Sequence, residues 1–200
     1  MYLIALEGLD KSGKATQVQL LQDRLEKGGK KVTTMDFHRY DTPTGQLIMK
    51  WLRREWEVSQ ETIELIMTAD KQAQQENFQR LEQEGYDFLV LDRYTLSQIV
   101  YSQAAGIEWL WTLALQSHLR QPDLDIYIDI TPEESMRRKG KWGENDRYES
   151  DLAFLKRVRE NYLSYVDKIH STSVAIVDGM ASIKQVHEAI WSYVSNEFLH

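Results

Sequence analysis

Tyr2-Leu3-Ile4-Ala5-Leu6-Glu7-Gly8-Leu9-Asp10-Lys11-Ser12-Gly13-Lys14-Ala15-Thr16 opens the chain and decides its fold. Tyr2 to Leu6 is apolar without alternation, the pattern of a strand buried on both faces. Gly8 to Lys14 has the spacing G-x-x-x-x-G-K of a phosphate-binding loop. Over Thr16 to Lys27, Val18, Leu21 and Leu25 recur at helical spacing, and Gly28-Gly29 closes that helix. Strand, loop and helix in this order are the context such a loop needs. Glycines let successive backbone N–H groups turn inward around phosphate oxygens. The helix N-terminus adds partial positive charge, and Lys14 adds a mobile full one. Gly8, Ser12, Gly13, Lys14, Ala15 and Thr16 are therefore expected around bound phosphate.

Further along, short apolar runs alternate with helical patterns. Lys31 to Phe37, Phe88 to Leu91 (ending in Asp92), Leu124 to Ile130 and Ser173 to Val177 read as strands. Leu47 to Trp51, Gln60 to Leu81, Leu96 to Ala105, Ile107 to Leu119, Leu152 to Ile169 and Ile183 to Phe198 read as helices. Another helix starts at Pro132, with Glu133 and Glu134 at the positive end of its dipole. This alternation predicts an α/β fold, a five-stranded, mainly parallel sheet with helices on both faces. Functional residues then belong in the crevice at the C-terminal strand ends.

Composition narrows the function classes. The 200 residues suit one domain, carry 24 Lys and Arg against 31 Asp and Glu, and have a net charge of −7. That balance argues against bulk binding to nucleic acid or an anionic membrane. The absence of cysteine excludes disulfides, thiol catalysis, iron–sulfur clusters and Cys-ligated zinc. No signal peptide or spanning segment is evident, so a cytoplasmic location is expected. The segment from Arg137 to Arg147 holds five positive and two negative residues, a local +3, and reads as a basic lid over about 137–149.

Two positions qualify the loop. The residue after its lysine is normally Ser or Thr, whose hydroxyl ligates Mg²⁺; here it is Ala15, with Thr16 next. Phosphates, waters and one or two carboxylates can hold Mg²⁺ instead. Asp92, at the end of a buried strand, is placed to do so, or else to cap the next helix. Arg93 beside it suits a forked contact to phosphate.

An ordered set of motifs now becomes specific. Glu7-Gly8-Leu9-Asp10 with the phosphate loop and Thr16-Gln17 resembles the opening of thymidylate kinases. Phe37-x-Arg39-Tyr40 with Gly45, Asp92-Arg93-Tyr94-x-x-Ser97-x-x-x-Tyr101, Pro122-Asp123-Leu124, Arg137, and Asp146-Arg147-Tyr148-Glu149 resemble later family segments in family order. The resemblance implies a three-layer P-loop NTPase fold. It implies transfer of phosphate from ATP, with Mg²⁺, to a deoxynucleoside monophosphate, dTMP first, by a homodimer. It makes Lys14, Asp10 and Arg93 catalytic. Lys11, Arg138 and Lys141 join the ATP-binding set. Asp10, Phe37, Arg39, Tyr40, Met67, Lys71, Arg93, Ser97, Gln98 and Tyr101 become acceptor-binding, and Asp92 the metal-side carboxylate.

The chain departs from the family pattern in places. His38 stands where proline is usual. Met67 and Lys71 replace an aromatic residue that stacks on thymine and an arginine that hydrogen-bonds it. Methionine packs against rings without stacking, and lysine donates from a point rather than a fork. A kinase for another deoxynucleotide or deoxynucleoside therefore stays open, as does a catalytically weak nucleotide-binding regulator, which Ala15 motivates. Asp70 and Lys71 also admit a plainer reading, a solvated charge pair on a helix edge.

Overall fold

Strand β1 (Tyr2–Glu7) is central because it is apolar on both faces. Ile4 and Leu6 point to one side and Leu3 and Ala5 to the other, and all four are buried. It pairs in parallel with β3 (Phe88–Asp92) and β4 (Leu124–Asp129). Outside these lie β2 (Val32–Asp36) and β5 (Val174–Asp178), also parallel, giving the order β2-β3-β1-β4-β5. This computed structural model describes residues 1–139, 147, 148, 150–169 and 174–199.

One sheet face is covered by α1 (Lys14–Lys27) and α9 (Ile183–Phe198), through Val18, Leu21 and Leu25 and through Val186, Ile190 and Val194. The other carries α2 (Pro43–Leu52), α3 (Gln60–Gln72), α4 (Gln75–Gln83), α5 (Thr95–Ala104) and α8 (Leu152–Ile169). The short helices α6 (Trp109–Leu115) and α7 (Pro132–Lys139) complete the chain order. The expected three layers are present. The strand order reverses at β1, so a crevice opens beyond its C-terminal end, where the phosphate loop leaves the sheet.

Several boundaries differ from those expected. The helix read over Gln60 to Leu81 is two helices, with the break at Ala73 and Gln74. Neither residue is a helix breaker, so the pattern gave no sign of it. Helix α2 starts four residues before Leu47, with the Thr42 hydroxyl accepting from the Gly45 N–H and Pro43 in the first turn. Helix α6 is shorter than Ile107 to Leu119 at both ends; the Glu108 carboxylate caps its start. The fifth strand begins at Val174; Ser173 lies outside the described residues.

Candidate active site

The phosphate loop is built by backbone geometry. Gly8 is needed because a Cβ there would come within 2.6 Å of the Ile128 carbonyl oxygen on β4. Gly13, at φ 104°, turns the chain into α1, whose first turn has neither a side-chain cap nor an acidic residue. That leaves its N–H groups and dipole to an anion. Lys14 is buried, and its Nζ donates to the carbonyls of Gly8 at 3.2 Å and Leu9 at 2.9 Å. The Ser12 hydroxyl, also buried, has no hydrogen-bond partner among the described residues. Such a polar atom inside a glycine loop suits a phosphate oxygen.

Around the loop runs a cleft of about 620 Å³. Lys11, Gly13, Lys14, Ala15, Thr16 and Arg138 line it. Arg138 is held there by the carbonyls of Lys11 and Gly179, both at 3.2 Å, and by Glu134. Asp36 and Asp92, register partners at the ends of β2 and β3, line the same cleft. Asp92 is not a helix cap, because α5 starts three residues later. Lys141, Asp146 and Glu149 lie outside the described residues.

A second cavity, of about 130 Å³, adjoins the first. Met67, Ser97, Gln98 and Tyr101 line it. Asp10, Phe37, Tyr40 and Arg93 line both spaces. At this junction Arg93 donates from Nη2 to Asp10 Oδ1 at 2.6 Å and from Nη1 to Ser97 Oγ at 3.3 Å. Its guanidinium also lies over the Tyr101 ring, 5.3 Å from the centroid. Burial works against the Asp10 carboxylate, but the charges of Arg93 and Lys14 and the Arg93 hydrogen bond outweigh it and hold its pKa at about 2. Near neutrality the junction therefore carries an ionised acid beside a guanidinium.

Arg93 has φ 66°, an uncommon left-handed conformation, and Glu7 braces the turn it occupies. The fully buried Glu7 carboxylate accepts from the Tyr94 N–H at 2.8 Å, from the Ser97 hydroxyl, and from the Tyr162 hydroxyl at 3.1 Å. Burial raises the Glu7 pKa, against the pull of Ser97 and Arg93. Glu7 thus acts on the site through Ser97 and Tyr94 rather than by lining it.

Two expected acceptor residues are placed differently. Arg39 lines neither space; its guanidinium is held by Asp36 at 3.3 Å and Asp41 at 3.1 Å. Lys71 is 1% exposed and lies behind Gln98, donating from Nζ to Gln98 Oε1 at 2.7 Å. Burial pushes its pKa down to about 8, although the charges of Glu64, Asp70 and Glu7 oppose this.

The solvated charge pair is overturned as well, because Asp70 is wholly buried. It accepts from His38 Nδ1, the Arg39 N–H and the hydroxyls of Thr42 and Thr44, at 2.7 to 3.2 Å. Those hydrogen bonds outweigh its burial and hold it well below the usual carboxylate range. Asp70 is the anchor of the 38–44 loop. Gly45 follows for steric reasons, since a Cβ there would overlap the Arg39 carbonyl.

The sequence reading missed His38 and Glu64, both of which line the smaller cavity. Glu64 lies one helical turn before Met67, so spacing could have found it. His38 showed in the sequence only as a departure, standing where proline is usual, with nothing to mark it as lining a cavity.

Known proteins resemble this chain over most of its length. A sequence model of the thymidylate kinase family matches residues 6–190. The thymidylate kinase of Schizosaccharomyces pombe is 30% identical over 200 residues, covering 99% of this chain and 93% of that one. A probable thymidylate kinase of Pyrococcus abyssi is 31% identical, covering 99% and 98%. Among solved structures, a thymidylate kinase from Candida albicans, described as revealing the origin of broad substrate specificity, superposes with a TM-score of 0.85 at 30% identity. That match covers 98% of this chain and 91% of that one. On its phosphate loop, its sheet order and these likenesses, the chain is a P-loop nucleoside monophosphate kinase belonging to the thymidylate kinase family.

Proposed function

We propose that the protein transfers the γ-phosphoryl group of ATP to dTMP, giving dTDP. One observation carries the reading: a phosphate-loop cleft and a smaller, ring-lined cavity meet at Asp10 and Arg93. A donor phosphate held by Lys14 and an acceptor phosphate held by Arg93 then face each other across the junction. Phosphoryl transfer needs positioning and charge neutralisation rather than a covalent enzyme intermediate. Lys14, the α1 N-terminus and Arg138 supply these on the donor side, and Arg93, oriented by Asp10 and Ser97, on the acceptor side. Phe37, Met67 and Tyr101 give the nucleoside apolar walls, Gln98 a polar one, and Tyr40 lines the shared rim. Arg39 reaches the acceptor phosphate only by leaving Asp36 and Asp41.

The donor set also fits Mg²⁺, a hard cation that takes oxygen ligands and keeps waters. Asp92, with Asp36 opposite and Thr16 on the same cleft, would hold it, in place of the hydroxyl that Ala15 lacks. When bound, it neutralises donor phosphate charge.

Residues 1–200 act as one domain, with the basic segment over 137–149 as its lid. The kinase is a cytoplasmic homodimer. Exposed Leu47, Leu65 and Leu110, on α2, α3 and α6, support the dimer; sedimentation as a pure monomer would remove it. Ionic nucleotide substrates support the location.

A coupled assay of ADP release tests the function, with dTMP, dUMP, dCMP, dGMP and deoxythymidine as acceptors. The expected result is Mg²⁺-dependent turnover with the highest kcat/KM for dTMP. Nucleotide binding without transfer would favour the regulator instead.

A further inference from the structure

One wall of the acceptor cavity carries a side chain that the reaction above leaves unassigned. Glu64 lines the cavity, yet its residue is only 1% exposed. Its Oε1 accepts from Gln60 Nε2 at 2.8 Å and its Oε2 from Gln98 Nε2 at 2.9 Å. Gln98 cannot turn its amide round, because Lys71 Nζ only donates and holds Gln98 Oε1. Gln98 Nε2 is committed to the Glu64 carboxyl, the Glu64 carbonyl oxygen at 2.9 Å and the Thr68 hydroxyl at 3.1 Å. Its two amide hydrogens are therefore spent inside the protein. Lys71 does not line the cavity, and Met67 offers no donor. This wall thus presents acceptor oxygens, whereas the C4 carbonyl of thymine needs a donor. Of the lining residues Glu64, Met67 and Gln98, only Glu64 can supply it, through its carboxyl in the neutral form.

We propose that Glu64 is a specificity-determining residue that reads the acceptor base as a carboxylic acid, its O–H donating to the C4 oxygen of a 4-oxopyrimidine. The adjacent N3–H finds an acceptor in the same carboxyl or in the second lone pair of Gln98 Oε1. Each Glu64 oxygen already takes one bond from an amide N–H, which leaves one site on each for the base. Burial raises the proton affinity of Glu64, and the bonds from Gln60 and Gln98 and the Lys71 charge offset only part of that. The inference rests on dTMP as acceptor and adds which side chain recognises it.

The test uses acceptor KM at saturating ATP. Glu64→Leu should raise the KM for dTMP about tenfold, with a smaller change in kcat, since the contact is remote from the reacting atoms. Glu64→Gln, whose amide donates at every pH, should hold KM within about threefold. A second readout guards against misfolding of the leucine variant. As Glu64 ionises with rising pH, the dTMP KM of the unaltered protein should climb, while that of Glu64→Gln should not. Lys71 on the same helix, Tyr148 through Gln60, His38, Asp10 and Arg93 around the cavity, and the substrate phosphate are the same in both proteins, so the difference between the profiles isolates Glu64. An active kinase with unchanged KM in Glu64→Leu, or with matching profiles for the unaltered protein and Glu64→Gln, overturns the inference alone. An unaltered protein that fails to phosphorylate dTMP overturns the function and the inference together.

Discussion

The donor cleft and the acceptor cavity share four residues but are built by different physics. Backbone makes the donor side: a strand end, two glycines at positive φ, and a helix start without a capping side chain. Side chains make the acceptor side, where Glu7, Glu64, Asp70, Lys71 and Gln98 are buried; Gln98 bonds both Glu64 and Lys71, Glu7 holds Tyr94 and Ser97, and Asp70 holds the 38–44 loop. A backbone site tolerates many side chains, which is why Ala15 can stand where a hydroxyl is usual. A buried polar network tolerates few, because each member satisfies another. The donor side should therefore lose chemistry when altered, and the acceptor side should lose stability and substrate selection first.

Lys14→Ala probes the donor side and carries the largest expected effect. Removing the buried ammonium should lower kcat by about 10³-fold, equivalent to about 4 kcal/mol of transition-state stabilisation. The circular dichroism spectrum should stay unchanged, since the loop is shaped by glycines. A variant keeping a tenth of the activity would show that the donor side does not depend on this lysine.

Asp70→Ala probes the acceptor side. It leaves His38, the Arg39 N–H, Thr42 and Thr44 without their shared acceptor and frees the 38–44 loop. Removing one member of a buried, charged hydrogen-bond network costs roughly 3 kcal/mol, read from the urea midpoint at constant slope. Acceptor KM should rise with it, because Phe37 adjoins the loop and Tyr40 lies on it. Unchanged stability would mean that this side is as tolerant as the other, and the contrast would fail.

The same contrast explains what was legible in the sequence. Tyr2 to Lys14 could be read because glycine spacing, an apolar run and a following helix are local patterns. Asp92-Arg93 was legible because a strand end points residues into the crevice. Asp70 and Lys71 were not, since a charged pair within an apolar stripe looks the same whether solvent or a distant loop satisfies it. The partners of Asp70 come from 26 to 32 positions away, and those of Glu7 from as far as 155. Only the fold supplies them. The break between α3 and α4 was hidden for a related reason: Phe78 and Leu81 keep an apolar face although they pack under Tyr94 rather than along α3.

The smallest of the expected effects separates the two sides by pH. His38 is pushed down to about 4, chiefly by burial and then by the Lys71 charge, although Asp70 pulls the other way. Its ordinary pKa is 6.5, so between 6.5 and 4 the unfolded chain binds the proton that the folded chain refuses. The stability due to neutral His38 is thus complete above pH 6.5 and drains away as the pH falls towards 4. Asp10, held at about 2, behaves as a depressed carboxylate: its contribution persists to about pH 4 and is lost only below. His38→Asn keeps a donor for Asp70 but cannot titrate. It should flatten the stability curve between pH 6.5 and 4 and leave the steeper fall below pH 4 in place. An unflattened curve would mean that another group carries the upper limb, and the acid sensitivity of the acceptor side would then have to be sought outside the His38–Asp70 pair.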